Sequence, residues 1–143
     1  MKALLASWQV WALAAAGFAA LTAIFAKIGV AGINADFATF IRTLVVVALA
    51  GGIVAFGGQW QPLETVPSRT WLFLLLSGLA TGASWLCYFR ALKTGDAARV
   101  APIDKLSVVF VAVLGVLLLG EKLSLANWLG VALMAGGALL VAL

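Results

Sequence analysis

Residues 77–123 read SGLATGASWLCYFRALKTGDAARVAPIDKLSVVFVAVLGVLLLGEKL. Two apolar segments flank the polar loop 93–96 in this stretch, and Asp104 and Lys105 follow Pro102 near the start of the second segment. Each segment approaches the roughly 20 residues that an α-helix needs to cross about 30 Å of hydrocarbon. The stretch therefore predicts two membrane-spanning helices and a pair of charges at or below the lipid headgroups, where charged side chains usually have a function.

The composition extends this prediction to the whole chain. Of its 143 residues, 65% are hydrophobic and 10% are charged, and the mean hydropathy is +1.18, whereas about 25% of residues are charged in soluble domains. We predict an all-α integral membrane protein, a bundle of five transmembrane helices in one domain over residues 1–143. The predicted helices cover about 7–30, 36–56, 70–92, 99–120 and 125–143.

Sequence features mark the beginnings of three predicted helices. The apolar run from Trp8 to Val30 is longer than the roughly 7–15 apolar residues of a secretory signal, so we interpret it as the first spanning helix. Asp36 is placed to cap the second helix. Pro102 is expected in the first turn of the fourth helix, where its missing N–H does little harm.

Charge and residue content exclude several function classes. The net charge is +4, but the basic residues are scattered singly between apolar segments and form no basic patch, so we expect no nucleic-acid partner. Cys87 is the one cysteine and histidine is absent, which predicts no metal site, no cofactor and no disulfide within the chain. Without paired carboxylates on one face, general acid-base catalysis also lacks its groups, and we do not expect an enzyme.

The loop charges do not favour one orientation in the membrane. When Lys27, Arg42 and Lys105 are treated as embedded in the membrane, the remaining basic residues divide three to three between the two sides. These are Lys2, Arg69 and Lys122 on the amino-terminal side and Arg90, Lys93 and Arg99 on the other. Since the excess of basic residues normally sets orientation, this balance permits insertion in both directions.

Hydroxyl groups line one face of the third predicted helix. Ser77, Thr81, Ser84 and Tyr88 follow helical spacing, so their side chains share a face. Such a row of hydroxyl groups suits hydrogen bonding to a bound substrate. The alternative is that the hydroxyls donate to carbonyl groups one turn back and allow close helix packing.

Four charged side chains fall near one membrane face: Lys27, Arg42, Asp104 and Lys105. Because isolated charges there are costly, we expect them to converge, with Asp104 pairing with Lys27 or Arg42 across the bundle. Asp104 and Lys105 point about 100° apart on a helix and are expected to be poor partners for each other. The alternative is that the long basic side chains extend to the headgroups.

The surplus of positive charge favours an anionic or zwitterionic substrate group. Trp85, Tyr88, Phe25 and Phe89 could instead form an aromatic wall for an organic cation. The candidate substrate-binding residues are Lys27, Arg42, Ser84, Trp85, Tyr88, Asp104 and Lys105.

From Tyr88 to the carboxyl terminus, the chain resembles the carboxyl-terminal part of an EamA domain, the repeat unit of the drug/metabolite transporter superfamily. The matching residues are Tyr88, Ala91-Leu92, Ala97-Ala98, Pro102, Gly120-Glu121-Lys122-Leu123, Gly130 and Gly136-Gly137. The first two helices are compatible with the opening of that unit. The resemblance implies that the first four helices line a cavity, that the last forms scaffold or dimer contacts, and that Glu121 is structural.

Most members of the superfamily contain two such units in inverted orientation, with the substrate site at the interface between them. This chain has one unit, half of an inverted-repeat transporter. The resemblance, together with the balanced loop charges, implies an antiparallel homodimer with dual topology in the lipid bilayer of the inner (cytoplasmic) membrane. We expect a permease for a small polar or charged metabolite. The alternatives are an exporter of cationic compounds similar to the small multidrug resistance proteins, or a non-transporting membrane subunit.

Overall fold

The computed structural model describes residues 7–143, and within them the chain forms α-helices, one 3-10 helix and turns, with no strand. The α-helices are α1 (Trp8–Val30), α2 (Ala35–Phe56), α3 (Ser68–Thr94), α4 (Ala97–Asp104), α5 (Ser107–Leu119) and α6 (Leu125–Ala142). The 3-10 helix, Leu63–Thr65, lies in the connection between α2 and α3. Lys2, one of the loop charges considered above, lies outside the described residues.

Five segments of the described chain are long and apolar enough to cross a membrane. They are Trp8–Val30, Ala35–Phe56, Ser68–Thr94, Ala97–Leu119 and Leu125–Ala142. Large apolar side chains along these segments are mostly exposed, including Phe18, Leu49 and Leu117. Exposed apolar surface on this scale suits contact with lipid rather than water, and it confirms the predicted all-α membrane fold.

The fourth spanning segment is interrupted, contrary to the single helix predicted over residues 99–120. It begins at Ala97, so Pro102 lies inside α4 rather than in its first turn, and α4 ends at Asp104. A proline inside a helix removes a donor and crowds the carbonyl group one turn earlier. The chain then tightens, because the N–H of Leu106 donates to the carbonyl of Ile103 at 3.0 Å, and α5 starts at Ser107.

Contacts between Cα atoms group the described residues into two compact units. The first unit contains residues 7–25 and Thr94–Leu143, and the second unit contains Ala26–Lys93. In the second unit, the buried residues lie in the last turns of α1, the first turns of α2 and the last turns of α3. They are Ala26, Val30, Ala35, Ala38, Thr39, Phe89 and Leu92. Most are small, which allows helix backbones to approach closely in a membrane.

Two lysines connect helix ends within the second unit. The ammonium of Lys27 on α1 donates to the carbonyl oxygen of Leu92 at 2.7 Å, and the ammonium of Lys93 donates to the carbonyl oxygen of Ile33. The carbonyl groups in the last turn of a helix have no partner within that helix. A basic side chain at that end supplies a donor and also complements the helix dipole, so Lys27 stabilises the end of α3.

Asp36 does not cap α2 as predicted. The N-cap is Asn34, whose Oδ1 accepts from the N–H groups of Asp36 and Phe37 at 2.8 and 3.2 Å. The Asp36 carboxylate instead accepts two hydrogen bonds from the Arg90 guanidinium on α3, from Nε and Nη2, each at 2.8 Å. This bidentate pair joins the start of α2 to the last turns of α3.

In the first unit, α4 and α5 both pack against α6. The turn after α5 is closed by Gly120, which has a φ of 69°, a left-handed conformation that glycine adopts without steric penalty. The N–H groups of Gly120 and Glu121 both donate to the carbonyl oxygen of Gly115. The Glu121 side chain folds against Gly115, where an added Cβ would lie 2.7 Å from Oε2. Glu121 therefore belongs to a helix-ending turn.

Candidate functional site

The strongest candidate site surrounds Arg42 in the second unit. Arg42 is the eighth residue of α2, about 10 Å along the helix at 1.5 Å per residue. Its guanidinium carbon lies 3.9 Å from the centroid of the Trp85 ring and 5.5 Å from that of the Phe89 ring. Trp85 and Phe89 are one helical turn apart on α3, so both rings face the same way. The cation is held by cation–π contacts to a neighbouring helix.

One nitrogen of this guanidinium lacks a partner. Within residues 7–143, Nη1 of Arg42 is buried and makes no hydrogen bond, while the Arg42 residue as a whole is half-buried. Leaving a buried donor unpaired costs about 1–3 kcal/mol, and more when the donor is charged. The aromatic faces stabilise the charge, but they accept no conventional N–H···O hydrogen bond. An oxygen atom supplied from elsewhere would satisfy this donor.

Tyr88 lies three residues after Trp85 on α3, near enough to Arg42 for their charged forms to interact. Tyr88 is half-buried. The structure therefore brings together three of the predicted site residues, Arg42, Trp85 and Tyr88. It adds Phe89, which the sequence suggested only as part of an aromatic wall and which is 3% exposed.

The row of hydroxyl groups on α3 differs in its hydrogen bonding from the threonines of α2. Thr39 and Thr43 donate to carbonyl oxygens one turn back, at 2.9 and 2.8 Å. Ser77, Thr81 and Ser84 are exposed, and none of their hydroxyl groups makes a hydrogen bond within residues 7–143. Ser84 thus remains a predicted substrate-binding residue, with its hydroxyl unoccupied by the backbone.

Two other predicted site residues, Asp104 and Lys105, form an ion pair with each other. Lys105 Nζ lies 3.1 Å from Asp104 Oδ2, so the expectation that they are poor partners is wrong. The backbone at Lys105 stays in the right-handed helical region, with φ −71° and ψ −7°, and the long Lys105 side chain bends back to the neighbouring carboxylate. The pairing of Asp104 with Lys27 or Arg42 stays a prediction. Lys27 itself has an observed structural partner in the Leu92 carbonyl group.

Sequence reasoning missed the pair between Asp36 and Arg90. The two residues are 54 positions apart, but the sequence places both near the same membrane face with opposite charges. That placement was the available signal. Asp36 is paired with Arg90 through both carboxylate oxygens, and it lies six residues before Arg42 on α2, about 9 Å along the axis at 1.5 Å per residue.

Comparisons with known proteins bear on this site and fold. The model of the EamA-like transporter family matches residues 6–143. A protein of Sinorhizobium sp, "Uncharacterized transporter in cobO 3'region", is 71% identical over 136 residues, which cover 95% of this chain and 96% of that protein. No solved structure matches the chain.

Proposed function

Because the chain belongs to the EamA-like transporter family and is a multi-pass membrane transporter, we propose that it is a permease of the inner membrane. It moves a small polar or charged metabolite by alternating access between two copies of itself. The observation that carries this proposal is Arg42, a guanidinium inside a spanning segment and against the rings of Trp85 and Phe89. Ionisable groups inside spanning segments usually mark substrate pathways.

Residues 6–143 match one unit of the family, and assembly as a homodimer brings two such units together. Inverted-repeat transporters bind substrate at the interface of two units. In an antiparallel pair, the second copy presents the same unit in inverted orientation, and the balanced loop charges are compatible with both orientations.

The exposed face of α3 is suited to contact a second copy. Ser77, Thr81 and Ser84 present hydroxyls there. Gly78 and Gly82 have open space within 4 Å of an added Cβ. Small residues four positions apart allow close approach of helices in a membrane, and hydroxyls can then bond across the contact. Lipid tails offer those hydroxyls no acceptor, whereas a second helix does.

Flux into proteoliposomes tests the transport function. The purified protein is reconstituted, and uptake is measured with a labelled panel of amino acids, organic acids and amines. We expect at least one compound to accumulate, and Arg42→Gln to lose most of that flux. Arg69→Gln is the matched control, because the Arg69 guanidinium also lies over an aromatic ring, that of Phe73 at 5.7 Å, but Arg69 is exposed at the start of α3.

A helical circular dichroism spectrum in the vesicles verifies that each variant is folded. If the folded wild type moves none of the panel, the protein is a non-transporting subunit and the proposal fails. Dual topology has a separate test in reporters fused to the carboxyl terminus. Signals on both sides of the membrane support the antiparallel dimer, and a signal on one side alone contradicts it.

A further inference from the structure

We infer that the group bound at Arg42 is an oxyanion, so that the transported substrate is an organic anion. This inference rests on the proposed transport function and names its substrate class. It depends on three observations: the rings beside Arg42 are already occupied by a cation, the second unit has no acidic side chain free to pair with Arg42, and Nη1 lacks an acceptor.

The occupied rings weigh against a cationic substrate. An organic cation would be expected to bind over the faces of Trp85 and Phe89. The Arg42 guanidinium already lies there, 3.9 Å from the Trp85 centroid. A second positive charge at a few ångströms is repelled, and this repulsion increases where water is excluded. The protein's own cation therefore converts an aromatic surface into a positively charged site.

The charge balance of the second unit leaves Arg42 without an acidic partner there. Residues 26–93 contain five basic side chains and two acidic ones. Both oxygens of Asp36 accept hydrogen bonds from Arg90. The other acid, Glu64, follows the far end of α2, which is about 21 Å along the axis from Arg42 at 1.5 Å per residue. Within the second unit, no carboxylate therefore neutralises the charge of Arg42.

The geometry of the guanidinium suits an oxygen anion. Stacking on an aromatic ring covers a face of the planar group and leaves its N–H donors pointing outward from the edge, where carboxylate and phosphate groups bind in bidentate fashion. Nη1 is buried and unpaired. An oxyanion that reached Nη1 would both supply the missing acceptor and neutralise the charge of the guanidinium. Because Nη1 is enclosed in this conformation, such binding requires the surrounding side chains to move, which links binding to conformational change.

The same chemistry is present in a free organic anion and in an anionic lipid headgroup, and binding measurements can separate them. The probes are benzoate, benzamide and benzamidine, which have similar shapes and carry negative, zero and positive charge, together with inorganic phosphate. Binding to the purified full-length protein is measured by calorimetry in neutral detergent. It is then repeated in vesicles of phosphatidylcholine with and without phosphatidylglycerol.

We expect benzoate or phosphate to bind and benzamidine not to bind. Arg42→Gln should weaken oxyanion binding by at least about tenfold, the loss expected when a charged hydrogen-bond donor is removed. Arg42→Lys should recover part of it, because it keeps the charge and loses the planar pair of donors. Arg69→Gln should bind as the wild type does.

Three binding results would each overturn the inference: tighter binding of benzamidine than of benzoate, no binding of either oxyanion, or equal oxyanion binding in Arg42→Gln and the wild type; a fourth overturning result combines binding with flux. Competition by phosphatidylglycerol, with no flux of any organic anion, identifies a lipid headgroup as the ligand and also overturns it. The proposed function fails separately. Oxyanion binding at Arg42 without flux of any compound contradicts transport, whereas flux of a cation without oxyanion binding supports transport and contradicts the substrate class.

Discussion

Replacing Lys27 with Met tests whether this lysine stabilises the helix end at which it lies. The Lys27 ammonium donates to the carbonyl oxygen of Leu92 at 2.7 Å, and Leu92 is 0% exposed. Methionine keeps much of the side-chain volume but removes the donor, so a carbonyl group in the last turn of α3 loses its partner where water does not reach it. An unpaired buried acceptor costs about 1–3 kcal/mol, and loss of the favourable helix-end charge adds about 0.3–1 kcal/mol.

Because Lys27 is only half-buried, we expect the lower part of that range, about 1–2 kcal/mol in the free energy of unfolding. The assay is unfolding by dodecyl sulfate in mixed micelles, followed by circular dichroism. Lys122→Met is the control, since it removes an exposed lysine whose side chain makes no hydrogen bond, ion pair or ring contact within residues 7–143. Exposed substitutions of this kind usually stay within about 0.5 kcal/mol. The reasoning is refuted if both variants change the unfolding free energy by the same amount.

Two further predictions concern helix ends. Asn34→Ala removes the N-cap oxygen of α2 and should reduce the free energy of unfolding by about 1 kcal/mol. Asn34→Asp keeps a capping oxygen and should retain most of the wild-type stability in the same assay. Equal stability of the two variants would contradict the capping role. Gly120→Ala places a side chain at a φ of 69° and should destabilise by about 1 kcal/mol. Gly137→Ala, in a helix with open space around it, should be neutral or stabilising, and a larger loss at Gly137 than at Gly120 would count against this explanation.

The spanning segments were predictable from the sequence because hydropathy over about 20 residues determines whether a helix can enter a bilayer. The break after Asp104 was not. The apolar character of Ala97–Leu119 is that of one unbroken spanning helix, and a hydropathy average is insensitive to local backbone bonding such as that from the Leu106 N–H to the Ile103 carbonyl. Likewise, Asn34 and Asp36 are both good capping residues. Which of them caps α2 depends on where the chain leaves α1.

Part of the candidate site was also predictable. The spacing of Ser84, Trp85 and Tyr88 on one helix follows from helical geometry, and an arginine inside an apolar segment is conspicuous in any sequence. That Arg42 meets Trp85 and Phe89 depends on how α2 and α3 are rotated about their axes, which no local pattern determines. The partners of Asp36 and Lys27 are 54 and 65 residues away, so these contacts arise only from tertiary packing.

The ion pair between Asp104 and Lys105 also bears on how the fourth spanning segment enters the membrane during synthesis. α4 and α5 have 8 and 13 residues, about 12 and 20 Å long at 1.5 Å per residue, so neither alone crosses the hydrocarbon and the insertion machinery must integrate them together. Lone charges at the centre of a helix add about 2.5–3.5 kcal/mol each to the free energy of insertion. A pair between adjacent residues needs no tertiary contact to form. Pairing within the segment therefore lowers the cost of inserting these two charges before any contact with another helix is made.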